Sequence, residues 1–202
     1  MRGKIVLTIT VDAVPQASAS ADATLVEAAR EDPRAFALLY DRHVETVYRY
    51  LLHQTGSPEV AEDLTSLTFM RALASLSRFR STGAFLPWLM RIAHNAMVDF
   101  MRFRRRETRL DDAALALLAA CSPGGLGQTP GSDLEQSESF LSYTEGLPKD
   151  QRHALALRFV ADLSMEDTAA VLGRSAGATK MLIARAIASL RRRAQQGRGS
   201  AP

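Results

Sequence analysis

The chain has 202 residues, of which 47% are hydrophobic and 23% are charged, as expected for one medium-sized or two small globular domains. Its single cysteine excludes an internal disulfide and a cysteine-based zinc site, and is consistent with a reducing cytoplasm. No apolar run approaches the roughly 18 residues of a membrane span, so we expect a cytoplasmic protein that does not insert into membranes.

The net charge of +3 is distributed unevenly along the chain. Residues 31–109 carry twelve basic and nine acidic side chains, and residues 140–195 carry nine basic and five acidic ones. Between them, residues 110–139 carry five acidic side chains and no basic one. Two basic blocks that flank an acidic spacer suggest nucleic-acid binding, although only weakly, since such charges are common on protein surfaces.

The N-terminal segment, residues 1–29, is predicted to be a disordered or loosely structured tail. Its apolar stretch, residues 5–11, is interrupted by threonines and is too short for the core of a signal peptide. We therefore expect the first folded element to begin after Asp32, which precedes Pro33 as a helix cap precedes a first-turn proline.

The segment 30–107 is predicted to be a domain of three helices, because apolar residues recur there at spacings of three and four. Gly56, Ser57 and Pro58 end the first helix and start the second, with Ser57 as the cap. The third helix is expected from about residue 87 to 105. No stretch alternates with a period of two, so strands are not expected.

The segment 108–139 is rich in Gly, Ser, Pro and acidic residues and is predicted to be a flexible linker. Helical periodicity returns over residues 140–195, and residues 196–202 are predicted to be a disordered tail. The predicted fold class is therefore all-α, with two small helical domains joined by a flexible acidic linker and a helix-turn-helix in the C-terminal domain.

The helix-turn-helix is predicted from the segment LSMEDTAAVLGRSAGATKMLIARAIASLRRR. Ser164 can cap the first helix, Gly173 can form the left-handed turn, and Ser175 can cap the second helix, which would enter a DNA major groove. Thr168 and Thr179 stand where this motif usually has buried aliphatic residues, as does Arg174. The predicted contacts to DNA are Arg174, Ser175, Ala178, Thr179, Lys180 and Arg185.

The ordered set FALLYDRHVETVYRYL, GSPEVAEDLTSLTFMRAL and GAFLPWLMRIAHNAMVDFMRFRRRE, followed by LPKDQR and LGRSAGATK, resembles the extracytoplasmic-function sigma factors of the sigma-70 family. The resemblance covers residues 30–107, as sigma region 2, and 140–195, as sigma region 4. It implies a cytoplasmic specificity subunit, without catalytic residues, cofactor or metal, that directs core RNA polymerase to promoters and melts DNA.

The resemblance also implies partners and site residues. Region 2 would dock on the clamp helices of the largest polymerase subunit and region 4 on the flap of the second-largest subunit, and an anti-sigma factor is a further possible partner. The residues implied in core binding are Glu62, Asp63, Thr65, Ser66 and Phe69. The residues implied in recognition and melting of the −10 element are Arg80, Trp88, Arg91, His94, Asn95, Asp99, Arg102, Arg104, Arg105 and Arg106.

Several alternatives remain open from the residues alone. The acidic start of the second helix could merely suit the helix dipole, the arginine cluster could be a solvated helix end, and Trp88 could belong to the core. The acidic linker could be a tether, or a segment that imitates nucleic acid inside the polymerase. At the level of function, a helix-turn-helix regulator that acts without polymerase is the second hypothesis. An enzyme is the third, although the four histidines lack metal-ligand spacing.

Overall fold

Every element in the described part of the computed structural model is helical, and that part comprises residues 16–80, 84–115, 144 and 146–198. The α-helices are α1 (Gln16–Ala29), α2 (Pro33–Thr55), α3 (Pro58–Ser75), α4 (Phe85–Leu115), α5 (Lys149–Phe159), α6 (Met165–Leu172) and α7 (Ala176–Arg198). A short 3-10 helix, Leu76–Arg78, follows α3. The predicted all-α class, with two small helical domains, is confirmed. Most of the predicted linker lies outside the described residues.

The prediction of a loose N-terminal tail is wrong for residues 16–29, which form α1. The side chains of Asp22 and Val26 are buried, and the Asp22 carboxylate accepts hydrogen bonds from Arg42 at 2.6 Å and from His43 Nε2 at 2.9 Å. This helix was hard to predict because most of its small apolar residues are alanines, which mark no strong apolar face. Residues 1–15 lie outside the described part.

The predicted caps of the first domain are present. Asp32 accepts a hydrogen bond from the backbone N–H of Arg34, and Ser57 accepts one from that of Val60. Gly56 ends α2 in the left-handed region at φ 67°, a conformation that glycine adopts without strain. The start of α2 and the junction between α2 and α3 therefore lie where their sequence signals predict.

Helix α4 is longer than predicted, because it runs from Phe85 to Leu115 rather than from about 87 to 105. Its last residues enter the segment 108–139 that we predicted to be linker. Alanines, leucines and arginines dominate this extension and have high helix propensity, so the helix continues where hydrophobic periodicity alone suggested its end.

The C-terminal domain contains the helix-turn-helix as predicted. The Ser164 side chain accepts a hydrogen bond from the N–H of Asp167, Gly173 has φ 64°, and the N–H of Ala178 donates to Ser175 at 3.2 Å. Helix α7 extends to Arg198, so the prediction of a disordered tail, 196–202, is wrong for residues 196–198, and residues 199–202 lie outside the described part. This domain has its own apolar cluster, which consists of Leu147, Ala154, Leu155, Ile183 and Ala186.

The two domains pack directly against each other in this structure. Helix α6 lies along α4, and α5 contacts α2. Leu157, Leu163 and Val171 of the C-terminal domain belong to the same apolar core as Leu89 and Met97 of the N-terminal domain. The interface is therefore an extension of the larger hydrophobic core.

Candidate nucleic-acid and protein interfaces

An exposed polar stripe runs along α4. Arg91, Asn95 and Asp99 follow one another at intervals of four residues, and all three side chains are exposed. Asp99 Oδ2 lies 3.8 Å from an NH group of Arg71 on α3, a weak and solvent-exposed ion pair. We call these three residues the α4 stripe. An asparagine amide here is free to reach the edge of a base.

Trp88 and His94, which were predicted to contact the −10 element, are less exposed than the three residues of the α4 stripe. Trp88 is partly buried and packs against Phe79 at 4.9 Å and Phe85 at 5.5 Å between ring centroids. His94 is partly buried and faces the C-terminal domain instead. The aromatic packing supports the alternative that Trp88 belongs to the core.

The arginines at the end of α4 are exposed but point in more than one direction. Arg104 lies over the Phe100 ring at 5.9 Å, whereas Arg102 and Arg105 line a cleft towards the C-terminal domain. Arg106 and Arg80 are exposed, and Arg80 borders the segment 81–83, which lies outside the described residues. The structure thus divides a cluster that looks uniform in the sequence.

The residues predicted to dock on polymerase are of two kinds. Glu62, Asp63 and Ser66 are exposed on one side of α3, whereas Thr65 and Phe69 are buried. Thr65 donates its hydroxyl hydrogen to the carbonyl of Ala61, 2.7 Å away. These two buried residues hold the helix in place and are not available for docking, which corrects the predicted set.

Phe69 packs against aromatic side chains of α2. Its ring lies 4.6 Å from that of Tyr40 and 6.4 Å from that of Phe36. The pKa of Tyr48 on the same helix is raised by burial and by the negative charge of Glu62. The acidic side of α3 is therefore anchored firmly to α2.

Two exposed apolar residues that were not predicted extend the acidic surface. Met70 and Leu73 are 62% and 49% exposed, and they continue the line from Asp63 and Ser66 at spacings of three and four. The sequence could have revealed Met70 and Leu73, because a helical projection of α3 places them on the same face as Asp63 and Ser66. We call Glu62, Asp63, Ser66, Met70 and Leu73 the α3 stripe.

The recognition helix presents a mixed set of predicted residues. Ser175, Ala178, Lys180 and Arg185 are exposed, as is Arg174, which pairs with the carboxylate of Asp150 on α5. We call the first four the α7 surface.

Thr179 is fully buried, which corrects its prediction as a DNA contact. Its Oγ1 finds no hydrogen-bond partner among the described residues. Thr168, on α6, is also fully buried, but its hydroxyl donates to the carbonyl of Ser164 at 2.7 Å. Both threonines thus occupy the core positions where this motif usually has aliphatic residues.

Histidines and hydroxyl groups line the contact between the domains. The Tyr50 hydroxyl lies 2.8 Å from His94 Nδ1, the rings of His94 and His153 meet edge to face at 5.1 Å, and Thr144 Oγ1 lies 3.2 Å from His53 Nε2. We call these five residues the seam. Burial lowers the pKa of His94, and burial together with the charge of a protonated His94 lowers the pKa of His153 to about 4. Both imidazoles are therefore neutral near pH 7.

No helix in the described part of the chain is long and apolar enough to cross a membrane. Within the same part, no three histidine, cysteine or acidic side chains are grouped as ligands for a metal ion.

Comparison with known proteins assigns both domains. The family model for sigma-70 region 2 matches residues 39–107, and that for sigma-70 region 4 matches residues 145–192. The α3 and α4 stripes lie within the first match and the α7 surface within the second.

Two curated relatives extend the similarity beyond single domains. The chain is 36% identical over 173 residues to the ECF RNA polymerase sigma factor BldN of Streptomyces coelicolor, which covers 83% of this chain and 64% of that protein. It is 32% identical over 147 residues to the ECF RNA polymerase sigma factor EcfG of Rhodopseudomonas palustris, which covers 73% of this chain and 78% of that protein. The chain thus spans slightly less than two thirds of BldN but most of EcfG.

A solved structure has the same fold. The sigma factor RpoE from Bartonella quintana, crystallised with the anti-sigma factor NepR, superimposes with a TM-score of 0.64 at 25% identity, over 78% of this chain and 94% of that one. The domain matches, the identity to the curated relatives and the shared fold agree. The chain belongs to the extracytoplasmic-function group of sigma-70 family RNA polymerase sigma factors.

Proposed function

We propose that this chain binds core RNA polymerase and directs it to a specific set of promoters, at which it initiates transcription. The observation that carries this proposal is the coexistence of two exposed surfaces, each built from predicted DNA contacts, on separate domains of one sigma-type chain. The α4 stripe lies on the region 2 match and the α7 surface on the region 4 match. A regulator that acts without polymerase needs only the second of these surfaces.

The α7 surface supports recognition of the −35 element. Ser175 caps the recognition helix and Ala178 lies in its first turn, where small side chains allow close approach to the bases. Lys180 and Arg185 suit phosphates or guanine edges. The Arg174–Asp150 ion pair fixes the turn that precedes the helix. We infer that Lys180 and Arg185 supply most of the affinity of this surface.

The α4 stripe supports recognition of the −10 element. Asn95 can form paired hydrogen bonds with a base, and Arg91 lies one turn away to contact the phosphate backbone. Unstacking a base costs a few kcal/mol, which contacts with the separated strand and with polymerase must offset. Further along α4, the exposed Arg104 and Arg106 add positive charge that suits contacts with the DNA backbone.

The α3 stripe supports docking on polymerase. Its three polar residues and two exposed apolar residues form a mixed surface of the kind that protein interfaces use, with Met70 as an adaptable apolar contact. We infer that this stripe binds the clamp helices of the largest subunit and that region 4 binds the flap of the second-largest subunit. The chain then acts in the cytoplasm as a specificity subunit and not as an enzyme.

An anti-sigma factor is a further proposed partner. The solved relative from Bartonella quintana is bound to the anti-sigma factor NepR. A protein that held this chain in the packed arrangement would keep the two DNA-reading surfaces in one compact body, away from promoter elements that lie apart along a duplex.

In-vitro transcription with purified core polymerase and a genomic promoter library tests the proposal. The wild-type chain is expected to give promoter-specific transcripts, and Asn95→Ala to lower them about tenfold through loss of a paired hydrogen bond. Lys180→Ala should lower transcription from promoters that depend on the −35 element. Asp63→Arg should abolish association with core enzyme in a pull-down. Arg34→Ala, an exposed change on none of the three surfaces, is the control.

If no promoter-specific transcripts appeared although the free chain bound duplex DNA tightly, the proposal would be overturned. That result would favour the helix-turn-helix regulator.

A further inference from the structure

A cleft of about 270 Å³ opens at the seam, between α4 of the N-terminal domain and α5 of the C-terminal domain. Its wall carries four cationic side chains, of which Arg102 and Arg105 belong to α4 and Lys149 and Arg152 to α5. The positive charge of the cleft therefore comes equally from both domains. None of the roles proposed above explains why cations of two domains converge here.

The positive charge is poorly balanced by the described residues. Asp150 is the only carboxylate among the residues that line the cleft, and it is already paired with Arg174 outside it. The pKa of Lys149 is lowered by burial and by the charges of Arg105 and Arg152. Cations brought this close repel one another, and a bound anion would relieve that repulsion.

The beginning of α5 adds a second positive element. Pro148 is the N-cap residue, and no side chain caps the helix there. The first-turn N–H groups of Lys149 and Asp150 therefore remain available on a helix of 11 residues. The N-terminal end of a helix attracts oxyanions through these N–H groups and through its dipole.

One atom of a buried polar side chain at the cleft has no hydrogen-bond partner among the described residues. Gln54 lines the cleft, is only 6% exposed, and its Oε1 accepts no hydrogen bond from the described residues. Its Nε2 lies 3.4 Å from His53 Nδ1, which is a long hydrogen bond. A half-turn of the amide would let Oε1 accept a hydrogen bond from His53 Nδ1.

The remaining part of the cleft is apolar. Met97, Val98 and Met101 of α4 line it beside the charged groups, and Met97 is almost fully buried. A cleft with a cationic rim and an apolar wall suits a ligand that has both a charged group and an organic part.

We propose that this cleft is a binding site for a phosphate group, carried by a small phosphate ester such as a nucleotide or supplied as free phosphate. The oxyanion binds the α5 N-terminus, Lys149 and Arg152 from one domain, and Arg102 and Arg105 from the other. Because both domains contribute ligands, the bound anion stabilises their packed arrangement. The inference does not rest on the proposed transcriptional function, since Lys149, Arg152 and Gln54 lie on none of its surfaces.

Isothermal titration calorimetry on the full chain tests the site, with inorganic phosphate, pyrophosphate and GMP as probes at constant ionic strength and sodium chloride as the reference. Saturable binding of at least one phosphate probe is expected. Lys149→Gln and Arg105→Gln should each weaken it about tenfold, because each removes a charge-assisted hydrogen bond. Both side chains are exposed, so neither change should disturb folding.

The matched control is Arg106→Gln, an exposed arginine next to Arg105 that does not line the cleft and should bind the probes as the wild type does. An equal loss of phosphate binding in this control would show a general effect of charge and overturn the proposal. Unchanged phosphate binding by Lys149→Gln would overturn it as well. Absence of phosphate binding, with duplex DNA binding weakened by Lys149→Gln, would also overturn it, because the cleft would then be part of the DNA contact. Unchanged promoter-specific transcription by Lys149→Gln would leave the proposed function intact in either case.

Discussion

The two domains differ in how they stabilise themselves. The N-terminal domain surrounds α4 with α1, α2 and α3 and contains most of the aromatic side chains of the core, including Phe36, Phe69 and Phe85. The C-terminal domain has only a small apolar cluster of its own and contributes Leu157, Leu163 and Val171 to the core of its neighbour. A small domain buries proportionally less surface, so it gains most from a neighbour to pack on.

The difference has a consequence for function. Separation of the domains leaves the N-terminal core largely intact but exposes apolar side chains of α5 and α6. An open, DNA-bound arrangement therefore requires another surface to cover these residues, and polymerase or an anti-sigma factor is the expected source. The following predictions probe this asymmetry, beginning with the largest expected effect.

Neighbouring leucines of α5 test the asymmetry most directly. Leu155 belongs to the small C-terminal cluster, and Leu157 belongs to the shared core. Each substitution to alanine should cost about 2–5 kcal/mol locally, because each leaves a buried cavity. In urea denaturation followed by hydrogen exchange, we expect Leu155→Ala to unfold the C-terminal domain selectively. Leu157→Ala should instead loosen its attachment and leave both domains folded. Identical exchange patterns for the two variants would contradict the assignment of separate cores.

Acidification should weaken the seam. The unfolded pKa of a histidine is about 6.5, and burial lowers the folded pKa of His94 and brings that of His153 to about 4. The unfolded state therefore binds more protons than the folded state below about pH 6.5. The contribution of these histidines to the free energy of unfolding is fully present above that pH and falls by about 1–3 kcal/mol towards pH 4. Thermal denaturation between pH 7 and 4 measures this.

His153→Gln should flatten that pH dependence. His43, on α2 and paired with Asp22, also has a pKa lowered mainly by burial and supplies a remaining slope in both proteins. If the stability of the His153 variant depended on pH as strongly as that of the wild type, the whole pH dependence would belong to the N-terminal domain.

Asp22→Asn tests whether α1 belongs to the N-terminal domain. The change weakens two hydrogen bonds, to Arg42 and His43, in a site where Asp22 is only 3% exposed. A loss of about 1–2 kcal/mol is expected, with faster hydrogen exchange in α1 and little change in α6. Glu27→Gln, on the exposed side of α1, is the matched control.

The helix caps give the smallest and most local comparison. Ser57→Ala and Ser164→Ala each remove one hydrogen bond to a first-turn N–H, of α3 and α6 respectively. Each should cost about 1 kcal/mol. Because the domains rely on different cores, differential exchange should place the first loss in the N-terminal domain and the second in the C-terminal one.

Local signals allowed much of the fold to be predicted. Asp32, Ser57, Ser164 and Gly173 marked helix boundaries correctly, because capping and left-handed turns depend on a residue and its immediate neighbours. The site was predicted less completely. Spacing placed Asn95 and Asp99 on one exposed stripe, but it did not reveal that Thr65 and Phe69 face the core, whereas the helix-turn-helix pattern already marked Thr179 as a usually buried position.

The sequence by itself determined the helical class, the two domains, the helix-turn-helix and the family, because these follow from periodicity, caps and ordered motifs. Tertiary structure alone decided the seam and the cleft. The hydrogen bond between His53 and Thr144 joins residues 91 positions apart, and the contact between His94 and His153 crosses the intervening linker. Such contacts depend on how whole helices pack, and no local pattern specifies them. The sequence predicted two DNA-reading domains, and their packing adds a shared core and a proposed phosphate site.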